Sequence, residues 1–381
     1  MRTLIASDLH LGAGNDIDLL RDPGVREAFL GAVARADRIV LLGDVVELRE
    51  RPLAEALELS VPFFEGLGEA AGDAELVIVP GNHDHHLLEE WLTTRRLERA
   101  PSLGLSERAP SGCEGPIAAL ARRAGNREVT LAYPGIWVRD DVYATHGHYL
   151  DRHLTIPTFE RLALAAVERA LGPPPDKTTD PLAAPEGPTD PDEYERALAP
   201  VYAFLFALAQ GGNRDQRGPG PSARIWAAMS QGATRAQRLR GWLLESVAVP
   251  GAVRMANRMG LGPVRPDLSP GTITRAGLLA MGEVIHRLGI EAAHVVFGHT
   301  HRRGPLDGEY AWRTGTGTAL LNSGSWTYMP GMIGSATAEE SPYWPGTVVE
   351  VDDGPPRARL LLSSRARSEL AEACRRPNAP T

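Results

Sequence analysis

Carboxylate, amide and imidazole side chains recur in five short motifs of this chain. Each motif follows a short apolar run that is typical of a β-strand. In chain order the motifs are Asp8-Leu9-His10, Gly43-Asp44, Gly81-Asn82-His83-Asp84, His146-Gly147-His148 and Gly298-His299-Thr300-His301. These oxygen and nitrogen donors suit two neighbouring divalent metals and do not match a thiolate site. The ordered set therefore predicts a two-metal site of the kind that hydrolyses phosphoesters.

The spacing within the motifs suits the ligands of such a centre. Asp8 and His10 are two residues apart in one loop, so both side chains can be directed at one metal, and His299 and His301 have the same spacing. Two metals about 3.5–4 Å apart activate a water and neutralise a phosphoryl group. One carboxylate must hold that spacing, and Asp44 is the candidate. The remaining donors are the amide oxygen of Asn82 and the imidazole of His146.

The apolar runs predict that an α/β sheet positions the first three motifs. Strands are expected over 3–6, 38–42 and 76–79, with helices over 24–36 and 53–72 between them. Runs of about four apolar residues suit strands that are covered on both faces. Because open α/β sheets place ligand sites at the carboxyl ends of their strands, we expect the polar residues that follow these strands to meet.

The later part of the core is expected to be richer in strands. Residues 129–131 and 136–138 predict a β-hairpin around Pro134-Gly135, and a strand over 142–144 leads into His146. Further strands near the end of the chain imply that core residues come from both ends of the sequence. These late strands are predicted over 294–297, 319–322, 347–351 and 359–362.

A change of composition after Asp151 predicts an insertion in the core. We expect the first part of the core over 1–151 and its second part over 286–364, with a C-terminal helix and tail over 365–381. The insertion between them, 152–285, is expected to be a mainly helical cap with a disordered proline-rich loop near 172–192.

Two features of the predicted cap bear on function. An apolar stripe with spacings of four and three predicts a helix, and its members are Tyr194, Leu198, Val201, Leu205 and Leu208. Residues 222–265 carry seven arginines against one acid, Glu245. They form either a solvated helix face or a basic rim that recruits an anionic substrate or membrane surface. The candidate substrate contacts on this rim are Arg235, Arg238 and Arg240.

The composition narrows the class of protein. A chain of 381 residues can bury a sizeable core, and its net charge of −8 argues against a general nucleic-acid coat protein. Two cysteines, Cys113 and Cys374, give no disulfide framework. The N-terminal residues do not match a secretory signal, and no run of 18 or more apolar residues is present. We therefore expect a soluble, cytoplasmic protein.

In this order the motifs resemble those of the calcineurin-like metallophosphoesterases. The resemblance covers about 1–150 and 290–330. It implies an α/β fold, namely the αββα four-layer sandwich, with the helical cap inserted in this chain. It also implies an enzyme that hydrolyses phosphoesters by attack of a metal-bound hydroxide. A phosphodiester or pyrophosphate is the substrate that the resemblance favours.

The resemblance also implies roles for single residues. One metal would be bound by Asp8, His10 and His301, the other by Asn82, His146 and His299, with Asp44 bridging. His83 would contact the phosphate or protonate the leaving group, and Asp84 would orient His83 through a hydrogen bond. The cofactor would be two divalent metal ions, Mn²⁺ first, although Fe, Zn or Co suit the same donors.

A closer resemblance leads to one of three alternative functions. Residues 7–11 and 43–47 resemble the UDP-2,3-diacylglucosamine pyrophosphatases, although position 83 is histidine where those enzymes carry arginine. The first alternative is therefore a lipid-linked nucleotide pyrophosphatase, with its cap in peripheral contact with an anionic membrane. The second is a nuclease that uses the arginine-rich segment, and the third is a non-catalytic scaffold of the same fold. No obligate protein partner is expected.

Other polar residues near the motifs are expected to have structural roles. His85, His86 and His148 are interpreted as surplus loop histidines, and Glu47 as a support for its own loop.

Overall fold

A computed structural model describes residues 1–13, 17–109, 115–125, 128–155, 188–211 and 270–376. The arginine-rich segment 222–265, with Arg235, Arg238 and Arg240, lies outside these residues, as does most of the proline-rich loop. No helix among the described residues is long and apolar enough to cross a membrane.

The first part of the chain alternates strands and helices, as its apolar runs predict. The elements are β1 (Thr3–Ala6), α1 (Pro23–Val33), β2 (Arg38–Leu42), α2 (Leu53–Leu59), α3 (Val61–Ala70), β3 (Glu75–Val79), α4 (Glu89–Glu98), β4 (Ser106–Ala109), α5 (Gly115–Arg123), β5 (Val129–Arg139) and β6 (Val142–Thr145). Two short 3₁₀ helices, His85–Leu88 and His148–Arg152, follow β3 and β6.

The described remainder begins with two long helices and ends rich in strands. The elements are α6 (Pro191–Gly211), α7 (Pro270–Arg287), β7 (His294–Phe297), β8 (Ala319–Asn322), α8 (Pro330–Ile333), β9 (Thr347–Val351), β10 (Arg357–Leu360) and α9 (Arg367–Arg375). Helix α6 contains the predicted apolar stripe, of which Tyr194, Leu198 and Val201 are buried while Leu208 is exposed.

Ten strands of the described residues form one sheet. Nine of them follow a hydrogen-bonded path in the order β10-β9-β1-β2-β3-β5-β6-β7-β8, and the tenth, β4, pairs with β5. Strands β1, β2, β3 and the first half of β5 are parallel. The second half of β5 pairs antiparallel with β6, which continues into the parallel strands β7 and β8. Strand β5 is therefore shared by two ladders of the sheet.

Apolar side chains from both ladders pack into one core. Val40 and Val77 of the first ladder share a buried cluster with Ile136, Val142 and Val296 of the second. This mixed α/β fold is the one that the sequence predicts. The parallel strands have buried residues on both faces, as expected for strands that are covered on both sides.

Two predicted elements differ in kind from the structure, and the strand predicted over 359–362 is displaced by two residues, because β10 spans Arg357–Leu360. The predicted hairpin around Pro134-Gly135 is wrong, because residues 129–139 form the single strand β5. Pro134 ends the pairing with β4, and Gly135 begins the pairing with β6. The predicted helix 53–72 is divided at Ser60, and Pro62 lies in the first turn of α3, where its missing N–H needs no partner.

The chain divides into two compact units. One contains Met1–His148, Leu205–Gly218 and Glu291–Thr381, and the other contains Tyr149–Phe204 and Pro219–Ile290. Within the second unit, the ring of Tyr149 stacks on Tyr194, and its hydroxyl donates to the buried carboxylate of Glu195. The predicted boundaries of the cap at 152–285 stay a prediction, since most of that range lies outside the described residues.

Candidate metal centre

Loops after five strands of the first unit bring the motif residues together. The loops after β1 and β2 run side by side, because the N–H of Asp8 donates to the carbonyl of Gly43 at 3.0 Å and that of His10 to Asp44 at 2.8 Å. The loop after β7 is fixed to the loop after β6, since Gly298 N–H donates to the carbonyl of His146 at 2.9 Å. Residues that are distant in sequence therefore meet at one edge of the strands.

The backbone at these loops is held in an unusual conformation. Among the described residues, six that are not glycine have a positive φ, and five of them lie in the motifs: Asp8, His10, Asp44, His299 and His301. A left-handed backbone costs free energy at such residues and persists only where the surrounding structure enforces it. Its concentration at the predicted ligands marks this region as a functional site.

The motif glycines let the backbone approach these side chains. A Cβ at Gly43, where φ is +82°, would lie 2.2 Å from the imidazole of His146. A Cβ at Gly81 would lie 2.4 Å from Oδ1 of Asp44 and 2.6 Å from Cδ2 of His146. Both glycines are therefore required by close packing against predicted ligands.

The first group of donors consists of Asp8, His10 and His301, whose ligand atoms all lie within 4.8 Å of one another. Nε2 of His301 is 3.2 Å from Nε2 of His10 and 3.4 Å from Oδ1 of Asp8. The other carboxylate oxygen of Asp8 accepts from Ser7 Oγ at 2.5 Å and from the N–H of His299 at 3.1 Å. Oδ1 is buried and has no hydrogen-bond partner among the described residues, so it is the oxygen available to a cation.

The second group consists of Asp44, His146 and His299, again with ligand atoms within 4.8 Å. Oδ2 of Asp44 is 3.2 Å from Nε2 of His146. The inner terminal atom of the Asn82 amide lies 3.2 Å from the same nitrogen and 3.1 Å from Nδ1 of His299. Asn82 therefore lies beside this group, and its role as a ligand stays a prediction.

Asp44 lies between the two groups. Its Oδ2 is 3.7 Å from Nε2 of His10 in the first group, while it contacts His146 in the second. Burial alone would raise the pKa of Asp44, but the charges of His146, His83 and His10 hold that pKa well below its usual value. Asp44 is therefore a charged carboxylate that lies between the two donor groups.

The comparisons with known proteins agree with this geometry. The model of the calcineurin-like phosphoesterase family matches residues 1–196, which is just over half of the 381-residue chain. The chain belongs to the calcineurin-like phosphoesterase family. Among curated proteins, no match was found.

This metallophosphoesterase is thus a hydrolase that acts on phosphoester bonds, and its clustered histidines and aspartates are of the kind that hold a divalent metal. The donors present fit such an ion. Carboxylate oxygens, an amide and imidazole nitrogens lie within a few ångströms of one another, and Oδ1 of Asp8 has no hydrogen-bond partner among the described residues.

Three imidazoles of the phosphoesterase have one ring nitrogen within hydrogen-bond distance of another group of the protein. Nδ1 of His10 pairs with Oε2 of Glu47 at 2.9 Å, and Nδ1 of His146 with the carbonyl of Leu42 at 3.0 Å. Nδ1 of His301 lies 3.1 Å from the hydroxyl of Thr327. In each ring this leaves Nε2 directed at the cluster, which is the arrangement that metal-binding histidines adopt.

Glu47 is the residue whose role sequence reasoning missed. Its Oε2 accepts from Nδ1 of His10 and, at 2.7 Å, from Nδ1 of His83. Its Oε1 accepts from the N–H groups of Arg49 and Glu50, which accounts for the predicted loop support. An acid three residues after Gly43-Asp44 was the available signal, but the sequence does not show which histidines it reaches.

The predicted hydrogen bond from Asp84 to His83 needs correction. The buried carboxylate of Asp84 accepts from three backbone N–H groups instead, those of Gly81 at 2.6 Å, Asp44 at 3.2 Å and Val45 at 2.8 Å. Burial, together with the nearby charge of Asp44, raises the pKa of Asp84 to about 6. Asp84 joins the second and third loops, whereas Glu47 orients His83.

The other histidines of these motifs lie beside the cluster. His148 is buried and 3.0 Å from the hydroxyl of Tyr133, and burial together with the charge of His146 holds its pKa well below the usual value. His85 packs edge-on against the ring of Tyr133, and His86 stacks on Phe206. Each of these histidines thus makes a packing or hydrogen-bond contact, and the interpretation of all three as surplus loop histidines stays a prediction.

Proposed function

We propose that two divalent metal ions, Mn²⁺ by preference, occupy the two donor groups. Asp8, His10 and His301 would hold one ion, and Asn82, His146 and His299 the other, with Asp44 between them. The position of Asp44, within contact distance of an imidazole from each group, is the observation that carries this assignment.

When bound, two such ions would polarise the phosphoryl oxygens and lower the pKa of a bound water. The chain supplies the remaining functions. Glu47 holds Nδ1 of His83, so Nε2 of His83 is the atom that would face the substrate and donate a proton to the leaving oxygen. The N–H of His83 donates to Oδ1 of Asp44 at 2.8 Å, which fixes the catalytic loop beside the proposed bridging carboxylate.

We propose a phosphodiester or a pyrophosphate as the substrate. This preference is supported by the resemblance of residues 7–11 and 43–47 to nucleotide pyrophosphatases. The lipid-linked and nuclease alternatives both depend on the arginine-rich segment, which lies outside the described residues. The scaffold alternative receives no support, because all seven predicted metal-ligand residues converge in the fold.

Hydrolysis of bis-p-nitrophenyl phosphate by Mn²⁺-loaded protein tests this function. We expect turnover by the wild type and a loss of roughly 10²–10⁴-fold in kcat for His83→Ala, the usual contribution of a general acid. The matched control is His286→Ala, an exposed histidine of α7. Equal turnover by wild type and His83→Ala would contradict the role of His83. If the metal-loaded protein hydrolysed neither diesters nor pyrophosphates, the proposed substrates would be wrong.

A further inference from the structure

Three buried hydroxyl side chains lie in residues 322–327, a segment that begins at the last residue of β8 and that we call the hydroxyl segment. Ser323, Ser325 and Thr327 are each at most 1 % exposed, and none of the three is a predicted ligand. Because buried polar groups are almost always hydrogen-bonded, their partners show what this segment holds in place.

Thr327 supports the ring of His301. Its Oγ1 lies 3.1 Å from Nδ1 of His301 and 3.1 Å from Oγ of Ser325. A hydroxyl can donate or accept, so Thr327 can pair with Nδ1 in either tautomer of the ring. A metal at Nε2 requires the tautomer in which Nδ1 carries the hydrogen, and Thr327 then accepts it. Thr327 therefore supplies the partner that this form of His301 needs.

Ser323 supports Asp8 through Ser7. Oγ of Ser323 lies 2.7 Å from Oγ of Ser7 and 3.0 Å from the carbonyl of Phe297, the last residue of β7. Ser7 in turn donates to Oδ2 of Asp8 at 2.5 Å. The other oxygen, Oδ1, faces Nε2 of His301 at 3.4 Å and has no hydrogen-bond partner among the described residues. Ser323 thus places the hydroxyl that engages one oxygen of Asp8 and leaves the other to the cluster.

The hydroxyl segment also fixes the loops that carry these two donors. Nδ2 of Asn322 donates to the carbonyl of Gly298 at 2.8 Å and to Oγ1 of Thr300 at 3.0 Å, within the loop after β7. The N–H of Trp326 donates to the carbonyl of Asp8 at 3.0 Å, in the loop after β1. One segment therefore sets the position of both loops and of a side chain in each.

The support is directed at one donor group. In the part of the chain that the structure describes, no hydroxyl of the segment hydrogen-bonds to Asp44 or His146, two donors of the second group, whose contacts are with other loops. This inference rests on the proposed function above, in which each donor group holds one ion. We propose that Ser323 and Thr327 are positioning residues that set the affinity of the first group for its ion and do not affect the second.

Calorimetric titration of the metal-free protein with Mn²⁺ tests the inference without turnover. We expect two ions per wild-type chain. Thr327→Val keeps the shape of the side chain but removes the hydroxyl, so one of the two ions should bind roughly 10- to 100-fold more weakly, the usual effect of losing a partner behind a ligand. Thr327→Ser retains the hydroxyl and should restore wild-type binding. Ser323→Ala, and its combination with Thr327→Val, should again weaken one ion only.

Thr318→Val is the matched control, because Thr318 is a buried threonine whose hydroxyl donates to the carbonyl of Ala292 at 3.0 Å. It should bind both ions like the wild type, and weakening as large as in Thr327→Val would mean that any buried hydroxyl has this effect. That result, wild-type affinities in Thr327→Val and Ser323→Ala, or equal weakening of both ions would each overturn the inference.

The same titration separates the inference from the proposed function. If the wild type bound a single ion, the proposed pair of ions would be wrong. The role of Thr327 would then stand if Thr327→Val weakened that ion and Thr327→Ser did not, and it would fall otherwise. If the wild type bound no Mn²⁺, both would be wrong. Selective weakening of one ion, in a protein that hydrolyses neither diesters nor pyrophosphates, would uphold the inference and contradict the proposed substrates.

Discussion

At the scale of single residues, the site is defined by which polar atoms already make hydrogen bonds within the protein. One oxygen of Asp8 accepts from Ser7 and the N–H of His299, which leaves the other oxygen for a cation. The Nδ1 atoms of His10 and His83 both contact one oxygen of Glu47. Hydrogen bonds to one atom of a predicted ligand thus leave its other polar atom for the cluster, an arrangement that is general in metal sites.

Replacing Glu47 with glutamine tests this dependence. The carboxylate accepts on both oxygens, from two imidazoles and from two backbone N–H groups, but a glutamine amide has only one accepting end. Either the histidines or the loop must therefore lose their acceptor. We expect Mn²⁺ affinity and kcat to fall roughly 10- to 100-fold each, measured by metal titration and diester hydrolysis.

Glu58→Gln is the matched control for this change, because Glu58 is an exposed acid of α2. It should leave both quantities unaltered. Wild-type values in Glu47→Gln would show that the two hydrogen bonds to histidine have no functional role.

Residue types at the site were predictable, but contacts between loops were not. The motifs identified the seven predicted metal-ligand residues because their types and spacing are specific to metal-binding loops. The roles of Glu47 and Asp84 depend on which loop each side chain reaches. That reach is determined by the tertiary packing of the loops after β2 and β3, which no local pattern encodes.

At the scale of elements, strand ends and close backbone packing position the ligands. The loops after β1, β2, β3, β6 and β7 converge because the strands before them are neighbours along the sheet path or face each other across one core. Glycines in these loops leave room for the predicted ligand side chains, because a Cβ at the same position would overlap them. The geometry of the site therefore depends on residues that bind nothing themselves.

Gly81→Ala tests this dependence. A methyl group there would lie 2.4 Å from Asp44 Oδ1 and 2.6 Å from His146 Cδ2, so both side chains must move. We expect a large loss of bound Mn²⁺ per chain, measured by elemental analysis after dialysis, and a lower melting temperature. In the control Gly31→Ala, on helix α1, an added Cβ meets nothing within 4 Å.

Alanine is the better helix former, by about 1 kcal/mol, so Gly31→Ala should keep its metal and be equally or more stable. Full metal content in Gly81→Ala would show that the loops can accommodate the methyl group without moving the ligands.

Strand β5 shows where element prediction failed. Pro134-Gly135 is typical of a turn, which is why a hairpin was expected. In the fold the same pair marks the point where one strand leaves the first ladder and enters the second. Proline is tolerated there because the ladder with β4 ends at this residue, so its missing N–H interrupts no further pairing. The sequence shows the break in the pattern, but only the pairing with two ladders shows that the chain continues as one strand.

At the scale of the whole molecule, the site needs both ends of the chain. The family match covers residues 1–196, but His299 and His301 lie beyond it. They reach the site because β7 pairs in parallel with β6, in the register Tyr143↔Val295, so the two strands end side by side. A fragment limited to the matched residues would therefore lack one predicted ligand from each donor group.

The buried charges of the site link its protonation to the stability of the whole fold. Burial alone would lower the pKa of His10 and of His146, but neighbouring carboxylates outweigh this effect. Glu47, Asp44 and Asp8 raise the pKa of His10 to about 9. Asp44 and Asp8 raise the pKa of His146 to about 10. These values exceed the usual 6.5 of an unfolded chain. The charged imidazoles therefore stabilise the metal-free fold fully below pH 6.5, and this contribution is lost as pH rises through 9–10.

The metal-loaded fold must respond to pH in the opposite direction, because a metal binds only neutral imidazole. Raising the pH from 6.5 to 9 should strengthen Mn²⁺ binding by about tenfold per pH unit for each proton released. We therefore expect the difference in melting temperature between Mn²⁺ and chelator to widen over this range. His286→Gln, at an exposed site, should show the same widening, and His10→Ala a smaller one. A difference independent of pH would mean that the imidazoles of the metal-free protein are already neutral, so that proton release does not drive metal binding.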